Sequence, residues 1–366
     1  MIRGLDIFSG SGGSSAGARA AGVRMVGAVD MDPIATASYR DNFPDAHVVT
    51  SRLEDLVVSD LLDRVGKVDI LLASPECTNH TCAKGSAPRS EASRATAMSA
   101  VVYARAFEPR WLVLENVVHM RPWSRYGELK RELEALGYRL AEQVLDASEL
   151  GVPQSRRRLF IVGDREREPR LVGGAALPRP PASSILDPEG TWPTTALARP
   201  GRAHGTLARA ERAFASVGRA TPFLIVYYGT DGGGGWQTLD RPLRTITTVD
   251  RFALVTPGAD GHQMRMLQVP ELRRAMGLAA DYRLDRGTRR DRVRLLGNGV
   301  CPPVMEAVVR ALVGGGPSEP DYAGSPNVGA GMGDEVHEKL LAKAVRRGPA
   351  AAGGRRARDL EAAVHV

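Results

Sequence analysis

Two groups of side chains that could do chemistry follow short apolar runs in the first half of the sequence. Cys77 comes shortly after the run at residues 68–73, and Glu115 and Asn116 end the run that starts at residue 111. A cysteine thiolate is a strong nucleophile when a neighbouring group lowers its pKa or accepts its proton. A carboxyl such as Glu115 can hydrogen-bond a ring nitrogen of a base and activate it for attack. Taken singly, a lone cysteine is more often a small buried apolar residue, and a strand-end acid is more often solvated.

A basic segment in the middle of the chain, Gln154-Ser-Arg156-Arg-Arg158, leads into the apolar run at residues 159–163. Alternate residues of an extended segment point the same way, so Arg156 and Arg158 are expected to share a face with Gln154. Guanidinium groups match phosphates and carboxylates with paired hydrogen bonds, which makes this segment a candidate anion clamp. A solvated basic edge is the alternative.

A glycine-rich turn, Asp6-Ile-Phe-Ser-Gly-Ser-Gly-Gly13, stands between an apolar run and a helical pattern near the start of the chain. Such a turn lets the backbone approach a ligand closely, and Asp30 at the end of the next run is placed to hold a ribose hydroxyl pair. The turn lacks the Lys-Ser/Thr ending of a phosphate loop. These features indicate an adenosine-containing cofactor, either a dinucleotide or S-adenosylmethionine, and a simple tight turn is the alternative.

The elements that must position these residues alternate between strands and helices. Apolar runs predict strands over residues 4–8, 23–29, 68–73, 111–114 and 159–163. The patterns between them predict helices over residues 14–21 and 126–136. This alternation predicts an α/β fold with a doubly wound, mostly parallel sheet. Ligands bind such sheets beyond the carboxyl ends of the strands, where the glycine-rich turn, Cys77 and Glu115 are all expected.

The second half of the sequence is less regular. Residues 164–219 are rich in Arg, Pro, Ala and Gly and predict a separate, loop-rich module, while the composition from about residue 314 onward predicts disorder. Strand and helix patterns return between these regions, with strands at 223–228 and 251–255 and helices at 271–277 and 304–312.

Composition limits the class of protein. The 366 residues, 43% hydrophobic and 25% charged, suffice for one large domain and a smaller module. No apolar run approaches the ~20 residues that span a bilayer, and no signal-peptide layout is present, so a cytoplasmic protein is expected. The net charge of +7 suits a polyanionic partner such as nucleic acid. Three cysteines (Cys77, Cys82 and Cys301) argue against a disulfide framework, and they lack zinc-ligand spacing.

Taken together, seven segments resemble the motifs of the C5-cytosine DNA methyltransferase family, in the family's order and at similar spacing. They are Asp6-Ile-Phe-Ser-Gly-Ser-Gly-Gly13, Asp30-Met-Asp32, Pro75-Glu-Cys77, Glu115-Asn-Val117, Gly151-Val-Pro-Gln-Ser-Arg-Arg-Arg158, Arg241-Pro-Leu-Arg-Thr-Ile-Thr247 and Gly297-Asn-Gly-Val-Cys-Pro-Pro303. The resemblance spans residues 3 to about 312. Each segment is modest by itself, but the ordered set is specific.

The resemblance implies a Rossmann-like fold that binds S-adenosylmethionine and methylates C5 of a cytosine flipped out of double-stranded DNA. Cys77 would attack C6, Glu115 would contact N3 and the exocyclic amine, and Arg158 would bind O2, with Arg156 in the same catalytic set. The implied cofactor-binding residues are Asp6, Phe8, Gly10, Gly12, Gly13, Asp30, Met31, Pro75, Asn298, Gly299 and Val300. The implied substrate-binding residues are Asn116, Gln154, Arg241 and Thr245.

The same resemblance implies a division of the chain. Residues 1–163 would form the catalytic and cofactor-binding domain and 164–240 the target-recognition region. Residues 241–313 would form the end of the recognition region and the return to the catalytic domain, and 314–366 would be a disordered tail. We expect a cytoplasmic monomer without a metal that acts on double-stranded DNA in restriction–modification, in a bacterial cell or in the host cell of a phage, without contact with a membrane.

Two segments depart from the family pattern and keep alternatives open. The family has Gln and then a Phe-Ser pair after the nucleophile, where this chain has Thr78-Asn-His-Thr81, which leaves open a modified pyrimidine, a different transferred group or lost activity. Ser51-Arg-Leu53 stands where the family has the acidic Asp-Ile pair that contacts adenine. A tRNA cytosine methyltransferase is a rival, although its Cys-Phe-Thr element is not found. A nucleotide-binding oxidoreductase or a non-catalytic DNA-binding relative is the rival from another class.

Overall fold

The computed structural model describes residues 1–75, 96–174, 176–228 and 234–314. A seven-stranded sheet has the strand order β3-β2-β1-β4-β5-β7-β6. Its strands are β1 (Ile2–Ile7), β2 (Val23–Asp30), β3 (His47–Thr50), β4 (Ile70–Ala73), β5 (Trp111–Asn116), β6 (Arg139–Asp146) and β7 (Arg157–Asp164). The first five strands of the chain are parallel, so the predicted α/β class with a doubly wound, mostly parallel sheet is confirmed.

Helices cover both faces of this sheet because its central strands are apolar on both faces. On β4, Ile70 and Leu72 belong to one buried cluster, whereas Leu71 and Ala73 belong to another. Continuous apolar strands of this kind are typical of parallel sheets covered on both sides. The helices that surround the sheet are α1 (Gly13–Ala20), α2 (Pro33–Asn42), α3 (Val58–Val65), α4 (Ser99–Phe107) and α5 (Tyr126–Ala135).

The strand β7 runs antiparallel to its neighbours β5 and β6. In the register, Asn116 at the end of β5 lies opposite Leu159 near the start of β7. The amino end of β7 therefore meets the carboxyl ends of the parallel strands at one edge of the sheet. The sequence analysis predicted the strand at 159–163 but not its reversed direction.

A second sheet is fully antiparallel, with the order β10-β9-β11-β12-β8. Its strands are β8 (Thr195–Ala196), β9 (Phe223–Val226), β10 (Trp236–Thr238), β11 (Phe252–Thr256) and β12 (Gln263–Met266), and it packs with α6 (His204–Val217) around its own apolar cluster. The helix α6 was not predicted from sequence. Its buried residues include Ala210 and Ala213, and it lies within the Arg-, Pro-, Ala- and Gly-rich stretch that predicted a loop-rich module.

After the second sheet the chain returns to the first through α7 (Val269–Ala275), α8 (Arg289–Asn298) and α9 (Pro302–Val313). The helix α9 packs closely on α1 because glycines remove the side chains between them. A Cβ atom on Gly17 would stand 2.4 Å from the Pro302 carbonyl oxygen, and one on Gly13 would stand 2.3 Å from the Val300 carbonyl oxygen. Among the described residues, no helix has the length and apolarity to cross a bilayer.

Candidate active site

A cavity of about 430 Å³ opens at the edge of the seven-stranded sheet where β1, β2, β4 and β5 end. Several sequence-predicted residues line it together, although they come from distant parts of the chain. Those on its wall are Phe8, Gly10, Asp30, Met31, Pro75, Glu115, Arg158, Asn298 and Gly299. The topology explains this convergence, because the return segment (residues 241–313) and the start of β7 both reach the carboxyl ends of the parallel strands.

The turn after β1 holds two residues in left-handed backbone conformations. Phe8 has a φ of 60° and Gly10 a φ of 53°. Positive φ is unusual for a bulky side chain, and such strain is most often found at ligand-binding turns. A Cβ atom added at Gly10 would meet nothing within 4 Å, so open space lies in front of this backbone. The backbone N–H of Gly10 donates a 2.8 Å hydrogen bond to Asp30 Oδ2, which fixes the turn to the end of β2.

Asp6 is buried behind this turn, which it supports, and it is not on the cavity wall. Its Oδ2 accepts hydrogen bonds from the hydroxyls of Ser14 (2.5 Å) and Ser15 (2.6 Å), at the start of α1. Complete burial raises the pKa of Asp6 to about 7 by desolvating its charged form. Gly12, Gly13 and Val300 likewise lie off the wall, in the close contacts behind the turn.

Acidic residues mark the end of β2. Asp30 accepts one backbone hydrogen bond on each carboxylate oxygen, from Gly10 and from Asp32, and its burial raises its pKa. Asp32 caps α2 through a 2.9 Å hydrogen bond from the N–H of Ile34, and it also pairs with Arg294 of α8. The negative charge of this segment is therefore partly balanced by the return segment.

Glu115 and Arg158 form a buried ion pair on the opposite side of the cavity. Arg158 Nε lies 3.0 Å from Glu115 Oε1, and the side chains are 14% and 8% exposed. Burial is the largest influence on Glu115 and raises its pKa, while the charges of Arg158 and Arg156 act in the opposite direction. The reversed direction of β7 makes this contact possible. The two residues that the sequence placed in one catalytic set are thus in direct contact.

Asn116 secures the point at which the chain leaves β4. Its side-chain Nδ2 donates a 3.1 Å hydrogen bond to the Pro75 carbonyl, and its Oδ1 accepts from the N–H of Val117. Cys77, the predicted nucleophile, lies outside the described residues, as does the segment Thr78–Thr81. Asn116 was predicted to bind substrate, and its hydrogen bonds show a contact with the backbone of Pro75.

Gln154 and Arg156 bind the return segment rather than facing the main cavity. Gln154 Oε1 accepts from the N–H of Ile246 (2.8 Å), and Arg156 Nη1 donates to the carbonyl of the same residue (3.0 Å). Arg156 Nη2 also donates to the carbonyls of Gly297 and Gly299, both at 2.8 Å. These buried contacts hold the backbone on either side of Asn298. Arg156 Nη1 and Nη2 thus contact the backbone of distant segments, and the catalytic role expected of Arg156 from sequence stays a prediction.

Arg241 and Thr245 stand beside this junction and do not line the cavity. Thr245 Oγ1 donates a 2.8 Å hydrogen bond to the Ser155 carbonyl, and the Arg241 carbonyl accepts from the N–H of Ala182. Both residues fasten the segment between β10 and β11 of the second sheet.

Sequence reasoning missed several residues of the site. Glu54, Thr96 and Arg294 line the main cavity, and their charged or polar character gave no separate signal; Arg52 also lines it, in the segment whose departure from the family pattern was noted but not assigned to the site. Cys301 lines a small neighbouring pocket with Glu115, Arg156 and Arg158. Burial raises the pKa of the Cys301 thiol to about 11, so it stays protonated near neutral pH. Within the described ranges, no group of three or more His, Cys, Asp or Glu side chains could hold a metal ion.

Comparisons with known proteins agree with these features. Residues 2–189 match the family model described as C-5 cytosine-specific DNA methylase. The chain is 30% identical over 171 residues to the type II methyltransferase M.DdeI of Desulfomicrobium norvegicum, covering 45% of this chain and 41% of that protein. It is 27% identical over 172 residues to the tRNA (cytosine(38)-C(5))-methyltransferase of Mus musculus, covering 46% and 41%. These alignments thus span less than half of either relative.

A solved structure extends the likeness in fold over most of the chain. A mutant of Spodoptera frugiperda DNMT2 superimposes with a TM-score of 0.63, covering 85% of this chain and 99% of that one. The sequence identity is 16%, so this likeness concerns the fold alone.

Proposed function

The chain belongs to the C-5 cytosine-specific DNA methylase family, and we propose that it transfers a methyl group from S-adenosylmethionine to C5 of cytosine in double-stranded DNA. The observation that carries this proposal is the buried Glu115–Arg158 pair on the wall of a cavity that also presents Asp30 and the strained turn at Phe8. A dehydrogenase would use Asp30 and the turn at Phe8 to bind its dinucleotide, but its reaction would not need the Glu115–Arg158 pair.

The cavity suits the proposed cofactor. Its volume of about 430 Å³ lies in the range of small-molecule sites. Each oxygen of Asp30 accepts only one backbone hydrogen bond, which leaves lone pairs for a ribose diol. The open backbone at Gly10 allows close approach, and Asn298 and Gly299 complete the wall. When bound, the cofactor supplies an electrophilic methyl group on a sulfonium sulfur.

The proposed chemistry begins at C6 of the base. The Cys77 sulfur donates an electron pair to C6, and the electrons of the C5–C6 double bond shift toward C5 and N3. C5 then forms a bond to the methyl group, and the electron pair of the broken sulfur–methyl bond would stay on the sulfur, leaving a neutral thioether. Loss of the C5 proton to a base restores the double bond and expels the Cys77 thiolate. Because C6 is shielded within a duplex, the cytosine must be flipped out of the stack.

Glu115 and Arg158 would stabilise the charge that this attack creates. Burial raises the pKa of Glu115, so its carboxyl, which pairs with Arg158 when charged, takes up a proton more readily than an ordinary glutamate and can then donate a hydrogen bond or that proton to N3. Arg158, held by the same carboxyl, carries a permanent charge suited to the O2 oxygen. Asn116 would set the direction of the nucleophile loop, since it holds the carbonyl two residues before Cys77.

We assign the catalytic part to residues 1–163 and target recognition to residues 164–240, with residues 241–313 forming the end of the recognition region and the return to the catalytic part. The end of the recognition region would include β11 and β12, which pair with β9 and β8. The net charge of +7 supports a polyanionic substrate, because Lys and Arg contacts to phosphates supply much of the affinity for DNA. The type II relatives support a place in restriction–modification. We further propose that the protein acts as a cytoplasmic monomer without a metal.

A second candidate is methylation of cytosine in tRNA, favoured by the similarity to the mouse tRNA methyltransferase. The test is transfer of label from tritiated S-adenosylmethionine to random-sequence duplex DNA, single-stranded DNA and total tRNA. We expect label in duplex DNA, recovered as 5-methylcytosine after digestion to nucleosides. Label in tRNA alone would establish the second candidate, and a different nucleoside mass would reveal another transferred group.

We further propose that Arg156 positions the backbone on either side of Asn298, and this role makes a separate prediction. Arg156→Gln should weaken binding of S-adenosylhomocysteine by about tenfold or more, because three buried carbonyls lose a charged donor. Arg156→Lys should recover part of the affinity, since an ammonium group still donates. Isothermal titration without DNA measures both, and thermal unfolding shows whether each variant is folded. Unchanged affinity in a folded Arg156→Gln protein would contradict the role.

A further inference from the structure

One end of the main cavity has charged residues that the proposed mechanism does not use. The turn after β3 contributes Arg52 and Glu54 to the wall, one on each side of Leu53. Arg52 Nε lies 3.6 Å from Glu54 Oε2, and the side chains are 57% and 45% exposed. The pair is therefore accessible from the cavity and available to a ligand.

The backbone of this turn is fixed although its two charged side chains are exposed. The N–H of Ser51 donates a 3.0 Å hydrogen bond to the Asp30 carbonyl, which ties the turn to the end of β2. Leu53 is buried, and its carbonyl accepts a hydrogen bond from the Tyr103 hydroxyl. A ligand held by Asp30 would thus find Arg52 and Glu54 at a defined place beside it.

The other charges on this part of the wall already have partners. Asp32 pairs with Arg294 and caps α2, while both oxygens of Asp30 accept backbone hydrogen bonds. Glu54 pairs only loosely, at 3.6 Å and in solvent, with Arg52. Surface pairs of this kind contribute little to stability, so Arg52 and Glu54 can bind a ligand without a large loss of folding free energy.

The chemistry of adenine matches such a pair. The edge of the base presents an amino donor at N6 beside an acceptor at N1, and these require an acceptor and a donor from the protein. A carboxylate and a guanidinium side by side supply both. Met31, which is 57% exposed on the same wall, offers a polarizable thioether to the face of an aromatic ring.

We propose that Arg52 and Glu54 together read the adenine edge of the cofactor, with Glu54 accepting from the N6 amino group and Arg52 donating to N1. This inference rests on the proposed function, because it requires an adenosine cofactor held at Asp30. The pair stands at Ser51-Arg-Leu53, where the family's acidic pair is missing. In this chain Glu54, one residue beyond that segment, would recognise adenine together with Arg52.

The test compares S-adenosylhomocysteine with S-inosylhomocysteine, whose base carries an oxygen acceptor at position 6 and a donor at N1. Isothermal titration of the full chain without DNA measures both affinities. The wild-type protein should bind the adenosyl compound tenfold or more tightly than the inosyl compound. In the inosyl base, the oxygen at position 6 would face the Glu54 carboxylate and the N1 donor would face the Arg52 guanidinium, so neither hydrogen bond could form. In Glu54→Gln, the amide can donate to the oxygen at position 6, so the preference should fall to about threefold or less. Arg52→Met should also lower the preference.

A matched control is Glu149→Gln, since Glu149 pairs with Arg179 at 2.6 Å with similar exposure (43% and 58%) and is not on the cavity wall. This variant should keep the wild-type preference. A folded Glu54→Gln protein that discriminates as wild type does would overturn the proposal while leaving the proposed function intact. Failure of wild type to bind either compound would overturn both.

Discussion

Replacing Cys77 by serine should lower the rate of methyl transfer to duplex DNA by on the order of 10³-fold or more. A serine hydroxyl ionises far less readily than a thiol, and an alkoxide does not form near neutral pH without a strong base. The measurement is single-turnover transfer of tritiated methyl groups to random-sequence DNA. Because attack at C6 precedes every later step of the proposed mechanism, loss of the thiolate should stop the whole reaction.

Cys301→Ala is the matched control for this substitution. Cys301 lies near Glu115 and Arg158, yet its buried thiol has a pKa of about 11 and stays protonated. Wild type and Cys301→Ala should both form a covalent adduct with 5-fluorocytosine DNA that survives denaturing electrophoresis, whereas Cys77→Ser should form none. An adduct with Cys77→Ser, or equal label transfer by Cys77→Ser and wild type, would refute the nucleophile assignment.

The second large effect is expected at Glu115, where substitution by glutamine should lower kcat by about 10²-fold or more. An amide can still accept from Arg158, but it cannot pass a proton to N3. Since burial raises the pKa of Glu115, its protonated form persists to higher pH than that of an ordinary glutamate. The wild-type rate should therefore fall as pH rises through this raised pKa, and Glu115→Gln should lose that dependence.

Glu142→Gln is the control for the carboxyl-to-amide change. Glu142 is on β6 of the same sheet and pairs with Lys130 at 2.8 Å, away from the cavity wall. Its pKa is lowered, with the Lys130 contact favouring the charged form, so it has no protonated form to offer near neutral pH. Its substitution should leave both kcat and the pH profile near those of wild type. A Glu115→Gln rate within threefold of wild type would argue against proton donation.

Much of the fold could be predicted because the strands that carry the site are locally distinctive. The apolar runs ending near Ala73 and Asn116 are buried on both faces, so their hydrophobicity marks them without any tertiary information. By contrast, β3 has only four residues with partial exposure, and its sequence carries no clear pattern. The reversal of β7 was also hidden, since strand direction depends on pairing and not on composition.

The site was predicted only in part, because the sequence does not show which residues far apart in the chain are in contact. Glu115 and Arg158 could be paired through resemblance, but the partners of Arg156 are Ile246, Gly297 and Gly299, which lie 90 residues or more along the chain. Residue spacing shows only which side chains share a face. It could not distinguish an arginine that faces substrate from one that binds backbone carbonyls.

The close packing of α1 against α9 has a consequence for the order in which the protein is synthesised. The Tyr282 hydroxyl donates to the Ser11 carbonyl, and the Arg310 guanidinium donates to the Ala20 carbonyl at 2.7 Å. The turn before α1 is therefore synthesised well before the segments that complete its surroundings. A nascent chain that ends before Asn298 already contains Asp30, Glu115 and Arg158 but lacks one wall of the cavity. A ligand that contacts this wall can therefore be bound completely only by chains that extend through Asn298 and Gly299.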